Sequence, residues 1–128
     1  MTSKVSLLPE AASDIRALDR SARILVLKAL KKLETAPEMR GAPLGSRSNA
    51  QSDLTGFRKL VVGNRDYRVV YEIRPDGTVV IVWVVGKRAD DEVYETAQAR
   101  VASYTDPAKH AVLQAILDAA RMSHAKEQ

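Results

Sequence analysis

The spacing of apolar residues changes period along the chain, and each change marks a different element. Lys4 to Leu8 reads as a short strand. From roughly Glu10 to Leu18 the apolar positions Ala11, Ile15 and Leu18 recur at helical spacing, with Pro9 well placed in the first turn. A second helix is expected from about Ser21 to Glu34. There Val26, Ala29, Leu30 and Leu33 form one stripe, and Lys28, Lys31 and Lys32 lie largely away from it. The two helices make a hairpin. From Thr35 to Ser52 the residues Pro37, Gly41, Pro43, Gly45, Ser46, Ser48 and Asn49 break any period, which predicts a loop long enough to be functional or mobile.

Period-2 patterning follows. Phe57 to Val62, Tyr67 to Arg74 and Thr78 to Val85 are separated by Gly63-Asn64-Arg65-Asp66 and Pro75-Asp76-Gly77, the pattern of an antiparallel meander. In the middle strand Tyr67, Val69, Tyr71 and Ile73 alternate with Arg68, Val70, Glu72 and Arg74, so one face packs on the helices and the other is mixed and partly open. The last strand is apolar throughout, as a central strand covered on both faces should be. A helix starting near Asp90 or Asp91 and another from Pro107 to about Met122, capped by Asp106, are the elements expected to cover its second face. The fold class is therefore α+β, an N-terminal strand and helical hairpin packed on a small antiparallel sheet, with an extra C-terminal helix. In that last helix Ala108, Ala111, Val112, Ala115, Ile116 and Ala119 form the expected stripe, widened by Leu113, Leu117 and Ala120; it is expected to be buried, against the rest of the chain in preference to a second copy or a partner protein.

Composition narrows the class. With 128 residues, 45% hydrophobic and 28% charged, the chain is sized for one domain with one core. No cysteine is present, which excludes disulfides and thiolate metal sites. The apolar run before Pro9 and Glu10 is too short for a signal segment or a membrane span, so a soluble cytoplasmic protein is expected. Between Arg40 and Arg74 stand seven basic residues (Arg40, Arg47, Arg58, Lys59, Arg65, Arg68, Arg74) against three acids (Asp53, Asp66, Glu72), equal to the whole net charge of +4. That excess suits a polyanionic partner, an acidic protein surface or a nucleic acid, and equally a solvated sheet face.

Other chemistries find no support. There is no GxGxxG or Walker loop, and the nearest glycine signal, Gly41 to Gly45, lacks the following Lys-Ser/Thr. The only histidines, His110 and His124, are far in sequence from the basic strands. Asp90, Asp91, Glu92 and Glu95 read as the usual acids of a first helical turn rather than as metal ligands. Neither a metal nor a cofactor is expected.

Four short blocks carry a family resemblance. Gly56-Phe57-Arg58-Lys59-Leu60, Tyr67-Arg68-Val69-Val70-Tyr71-Glu72-Ile73, Val84-Val85-Gly86-Lys87-Arg88 and Glu92-Val93-Tyr94 together resemble the RelE branch of the RelE/ParE toxin superfamily, over about Lys4 to Val101. Residues 1–104 would then be the toxin domain and 105–128 a helical extension. The resemblance implies a microbial-RNase-like endoribonuclease, the toxin of a type II toxin-antitoxin pair, which cuts ribosome-bound mRNA by attack of a ribose 2′-hydroxyl on the phosphate. It implies as partners a cognate antitoxin, the ribosome and mRNA. Carried over by position, Arg58 stands where the family has its first strand lysine, Arg68 is the middle-strand arginine, Arg88 the arginine after the last strand and Tyr94 the tyrosine. Arg68, Arg88 and Tyr94 form the implied catalytic group, with Arg58, Lys59, Arg65 and Lys87 on the RNA backbone. Leu60 departs from the pattern by occupying the place of the second lysine. One extra residue before Tyr67 would let a bulge bring Lys59 into that role.

The chemistry is sound on general grounds, because guanidinium groups aimed at a phosphate stabilise the charge that builds on it during attack. Proton transfer is harder for tyrosine and arginine at neutral pH, so holding the RNA in line would supply much of the rate. Taken singly, Arg58 and Arg68 also read as exposed sheet positions, Tyr94 as a core aromatic and Arg88 as a charge flanking a helix. Two other functions fit the superfamily. One is a ParE-like inhibitor of DNA gyrase, opposed by retention of Arg88 and Tyr94. The other is an inactive antitoxin-binding module, favoured by Leu60.

Overall fold

The all-apolar run predicted as a central strand occupies that position in the computed structural model, which describes residues 3–44, 56–63, 66–74, 78–87 and 90–127. In chain order the elements are β1 (Lys4–Leu7), α1 (Pro9–Arg16), α2 (Arg20–Lys32), a 3-10 turn (Pro37–Met39), β2 (Ala42–Pro43), β3 (Phe57–Val62), β4 (Tyr67–Ile73), β5 (Val79–Gly86), α3 (Asp90–Ser103) and α4 (Pro107–Glu127). The sheet order is β1-β5-β4-β3-β2. The meander is antiparallel as expected, but the sheet as a whole is mixed, since β1 lies parallel to β5 with Lys4 opposite Val79. A parallel pair needs a crossover connection, and here the α1–α2 hairpin and the meander together provide it.

Local signals set the helix ends. Pro9 occupies the first turn of α1. The Asp19 carboxylate accepts a hydrogen bond from the Ala22 amide at 2.8 Å and caps α2. Asp106 starts α4, its carboxylate accepting from the Lys109 amide at 3.4 Å and its carbonyl from the His110 amide at 2.8 Å. Part of the segment expected as loop is structured. The Tyr71 hydroxyl, fully buried, reaches the carbonyls of Pro37 and Arg40 and anchors the 3-10 turn. Burial pushes its pKa up, against the lowering influence of Arg58 and Arg40. Gly41 follows at φ +63°, where an added Cβ would lie 2.3 Å from the Lys59 carbonyl, so β2 can approach β3 only with glycine there. Residues 45–52 of the expected loop lie outside the described residues.

Each face of the sheet has its own core. On the hairpin face, Ala11, Ile15, Val26, Leu30 and Leu33 pack on Val62, Val69, Tyr71, Val80, Val82 and Val85. On the opposite face, Val93 and Ala97 of α3, Tyr104, and Leu113, Leu117 and Ala120 of α4 pack on Phe57, Val70, Ile81, Trp83 and Val84. Trp83 and Val84 are neighbours in sequence yet share a face. The ladder explains this, because Val70 pairs with Val84 and Tyr71 with Val82, leaving Trp83 as an inserted residue in β5.

The helix expected at the C-terminus is present and lies mainly against β1. Its packing row differs from the expected stripe. Leu113, Leu117 and Ala120 are buried with Ile116 beside them, while Ala108, Ala111, Val112, Ala115 and Ala119 face outward. The leucines carry most of the apolar area, so the row that buries them wins over a longer row of alanines. Among the described residues no helix is long and apolar enough to cross a membrane.

Truncating Leu117, which is 1% exposed, to alanine should cost about 2–5 kcal/mol in chemical denaturation. Val112→Ala, on the outward row, should stay within about 0.5 kcal/mol.

Candidate functional site

The pairing of β3 with β4 decides which charged side chains meet. Lys59 lies opposite Val70, and Val61 opposite Arg68, so Lys59 and Arg68 share the face that carries α3 and α4. At its far edge Arg68 is opposite Gly86, the last residue of β5. Contacts of α3 run to β5 and β4 and leave β3 at the margin of this face, where Val61 is 40% exposed. Tyr94 stands on that side of α3. It packs against the core, and the Lys59 ammonium sits 5.8 Å from the centre of its ring. Lys59, Arg68 and Tyr94 are all half-buried. One guanidinium nitrogen of Arg68 donates to the Tyr67 carbonyl at 3.3 Å. Lys87 is exposed one residue beyond β5. Arg88 and Arg65 lie outside the described residues.

Arg58 is not part of this group. It pairs across the ladder with Tyr71, on the hairpin face, and its guanidinium donates to the carbonyls of Arg40 and Gly41, each at 2.9 Å. There it secures the chain entering β2. Leu60 is on the same face and packs into the hairpin-side core. The β3–β4 register runs without a shift from Phe57–Glu72 to Val62–Tyr67, so the bulge expected before Tyr67 is absent from the paired strands. Plain alternation already turns Lys59 toward Arg68. The basic stretch from Arg40 to Arg74 is likewise not one patch. Arg40 and Arg58 belong to the hairpin side, Lys59 and Arg68 to the other, and Arg74 pairs with Glu72 at 3.2 Å.

Sequence reasoning missed the strongest polar cluster. Arg100 makes two hydrogen bonds to the Asp14 carboxylate, at 2.7 and 3.0 Å, and a third to the Trp83 carbonyl at 2.9 Å. The Val85 amide donates to Asp14 at 3.0 Å. Hydrogen bonding to Asp14 raises the Arg100 pKa, with burial opposing. An open cleft of about 320 Å³ lies over the pair, lined by Leu18, Gly86, Lys87 and Glu92 among others. The signal was available. Asp14 falls beside the stripe Ala11-Ile15-Leu18, and Arg100 continues Val93-Ala97 toward Tyr104, so each is a charge placed on a packing face.

A second polar tie joins α1 to the corner between α3 and α4. The Tyr104 hydroxyl donates to Glu10 at 2.6 Å, and the Lys109 ammonium to the same carboxylate at 3.1 Å. The Tyr104 ring meets Trp83 edge-on, with centroids 5.3 Å apart, and Trp83 in turn packs on Phe57. Burial acts to raise the Glu10 pKa, but the Tyr104 and Lys109 hydrogen bonds outweigh it and the net shift is downward. The Tyr104 pKa is pushed far up by burial and by its bond to Glu10.

A family model described as the ParE toxin of type II toxin-antitoxin system, parDE, matches residues 5–92. No curated protein matches the sequence significantly. Among solved structures, a chain of the RelBE2 toxin-antitoxin complex from Mycobacterium tuberculosis is 25% identical with a TM-score of 0.58, covering 69% of this chain and 100% of that one. A mutant of the E. coli toxin RelE in the free state is 24% identical with a TM-score of 0.61, over 79% of this chain and 99% of that one. A chain of the chromosomal ParDE system of P. aeruginosa is 14% identical with a TM-score of 0.55, over 69% and 98%. The last two show a shared fold. The chain belongs to the RelE/ParE superfamily and is a toxin of a type II toxin-antitoxin system.

The Glu10 tie makes stability pH-dependent. A carboxylate whose folded pKa is lowered stabilises the fold above its unfolded pKa and loses that contribution as pH falls through the folded value. Thermal denaturation should therefore show a drop in Tm below the ordinary glutamate range, and Glu10→Gln should flatten that part of the profile. Tyr104 acts with opposite sign, its contribution fading as pH rises above the ordinary tyrosine value near 10.

Proposed function

We propose that this toxin is a ribosome-dependent endoribonuclease of the RelE kind, cutting mRNA by internal attack of a ribose 2′-hydroxyl on the adjacent phosphate. The observation that supports this reading best is that Lys59, Arg68 and Tyr94 share one side of the sheet, at the end of β5 that leads to Arg88. Arg68 and Arg88 would neutralise the non-bridging oxygens as the phosphorane forms. Lys59 takes the place of the strand lysine, because it, and not Arg58, faces Arg68. Its ammonium would hold the phosphate beside Tyr94, with Lys87 and Arg65 gripping the flanking backbone. In this reading residues 1–104 carry the activity, 105–128 form a stabilising extension, and the protein works in the cytoplasm on the ribosome.

The partner that restrains it is a cognate antitoxin. The outward side of α2 suits an acidic amphipathic segment, since Ile24, Leu25 and Leu27 are each close to half exposed beside Lys28, Lys31 and Lys32. Association with the product of the neighbouring gene should slow as salt rises, measured by stopped-flow or surface plasmon resonance. No complex at any salt concentration would remove this partner.

A gyrase-directed toxin is the second reading, and what favours it is the ParE description of the matching family model. Primer extension on mRNA after brief expression separates the two, since ribosome-dependent cuts support the nuclease and gyrase-linked DNA breaks support the other. With purified ribosomes, Lys59→Ala, Arg68→Ala, Arg88→Ala and Tyr94→Phe should each slow cleavage on the order of 10² to 10³-fold without unfolding the protein. Arg58→Ala should loosen the β2 segment and leave the cleavage rate of the folded protein within about two-fold. A triple Arg68, Arg88 and Tyr94 variant that cuts as fast as the parent would end the assignment.

A further inference from the structure

We infer that Asp14 and Arg100 are positioning residues for this site: they hold the inserted residue in β5 and so set which part of β5 lies beside Arg68 and where α3 carries Tyr94. This rests on the nuclease reading for its effect on rate, and on geometry alone for its effect on structure.

Tyr71 pairs with Val82, so an uninterrupted register would place Val85 opposite Arg68. With Trp83 inserted, Gly86 is there instead. A one-residue slip also exchanges the faces of Val84, Val85 and Gly86, because side chains alternate with period two. The insertion therefore decides which faces the last residues of β5, Val84 to Gly86, present.

An inserted residue leaves backbone polar groups without regular ladder partners, and β1, whose pairing ends at Val82, offers none to the rest of β5; such groups are costly when buried. Here both sides of Val84 are served by side chains from other elements. The Trp83 carbonyl accepts from Arg100, and the Val85 amide donates to Asp14. The two side chains are joined to each other by two hydrogen bonds. An acceptor on α1 and a donor on α3 thus close on the strand together, and neither alone supplies both needs.

The same contacts orient α3. Arg100 lies six residues after Tyr94, which is about 240° around a helix of 3.6 residues per turn. With Arg100 fixed on the α1 side, Tyr94 is turned to the opposite flank, over Lys59 of β3. Loss of the pair would let α3 rotate or shift and would separate Tyr94 from Lys59 and Arg68 without touching any of them.

The test uses the full chain with Asp14→Asn and Arg100→Lys, which preserve size or charge but not the paired geometry, and Glu10→Gln as a control that weakens the other polar tie. Two measurements are made. NMR reads the cross-strand contact between Arg68 and Gly86 and the shift of the Val85 amide. Ribosome-bound mRNA cleavage, at a temperature well below each Tm, reads kcat and KM. We expect the Arg68–Gly86 contact to weaken and kcat to fall at least about ten-fold with KM within about two-fold for both variants. Glu10→Gln should lower Tm and leave the contact and kcat unchanged. If Asp14→Asn and Arg100→Lys retain the contact and the parent kcat, or if Glu10→Gln at equal loss of Tm reduces kcat as much, the positioning role is wrong. Should Asp14→Asn not fold, Arg100→Lys and Arg100→Gln decide by the same measurements. If the parent itself cuts no mRNA, the nuclease reading fails, and the Arg68–Gly86 contact still decides whether the pair sets the register.

Discussion

A guanidinium and a carboxylate that close on two backbone groups of one strand are the constraint around which this molecule is arranged. Asp14 comes from α1 and Arg100 from α3, and what they hold is the irregular stretch of β5. Their side chains are about one-fifth exposed, 19% and 20%. Pairs withdrawn from water in this way contribute little net stability, because desolvation offsets the attraction. Their value is selective: a slipped register or a rotated helix would leave a charge and two backbone groups unsatisfied together. The hydrophobic cores on the two faces favour a collapsed sheet with helices on both sides, and the polar pair selects one register among those the cores would tolerate.

The two faces of the sheet have different tasks, and alternation alone assigns residues to them. On the hairpin side, apolar packing runs from Ile15 and Val26 to Val69 and Tyr71, and the basic residues Arg40 and Arg58 are occupied in holding the β2 segment. On the other side, α3 lies mainly over β5 and β4 and meets β3 through Tyr94 and Lys59, with Val61 part-exposed at the margin. A stretch of sequence that looks uniformly positive is thus split between the two faces, Arg40 and Arg58 on the hairpin side and Lys59 and Arg68 on the other. Arg74 is neutralised by Glu72, which also accepts a hydrogen bond from the Trp83 indole.

Local pattern carries the elements well, and it fails where a distant partner decides. The α2 stripe, the three meander strands and the central place of Val79–Gly86 follow from periodicity, because burial on one or two faces writes itself into residue spacing. The parallel pairing of β1 does not, since nothing in Lys4–Leu7 encodes that its neighbour lies some 75 residues away at Val79. The insertion at Trp83 is hidden for a related reason. Every residue around it is apolar, so a shift from one face to the other leaves no polar residue out of place. For the candidate site, the resemblance named Arg68 and Tyr94, whereas which of Arg58 and Lys59 shares the face of Arg68 required the register. Asp14 and Arg100 were legible in principle as opposite charges on two packing stripes, but their pairing is tertiary information. In α4 the stripe with the most members was not the one that packs, because side-chain area and not the number of apolar positions sets the gain from burial.

The tie between Glu10 and the Tyr104–Lys109 corner, together with the β1–β5 pairing, bears on how the chain is made. Residues 94 and 99 positions apart in sequence must meet. The first strand has no sheet partner until β5 has been synthesised, and the Glu10 carboxylate lacks its side-chain partners until Tyr104 and then Lys109 follow. Non-local closure of this kind slows folding, because loop entropy is lost before the contacts form. On a translating ribosome, the α1–α2 hairpin would emerge with its apolar stripe uncovered, and the native sheet could assemble only after β5 has followed it. For a toxin built this way, the interval between emergence of α2 and arrival of α4 is when its apolar surfaces are most open to capture.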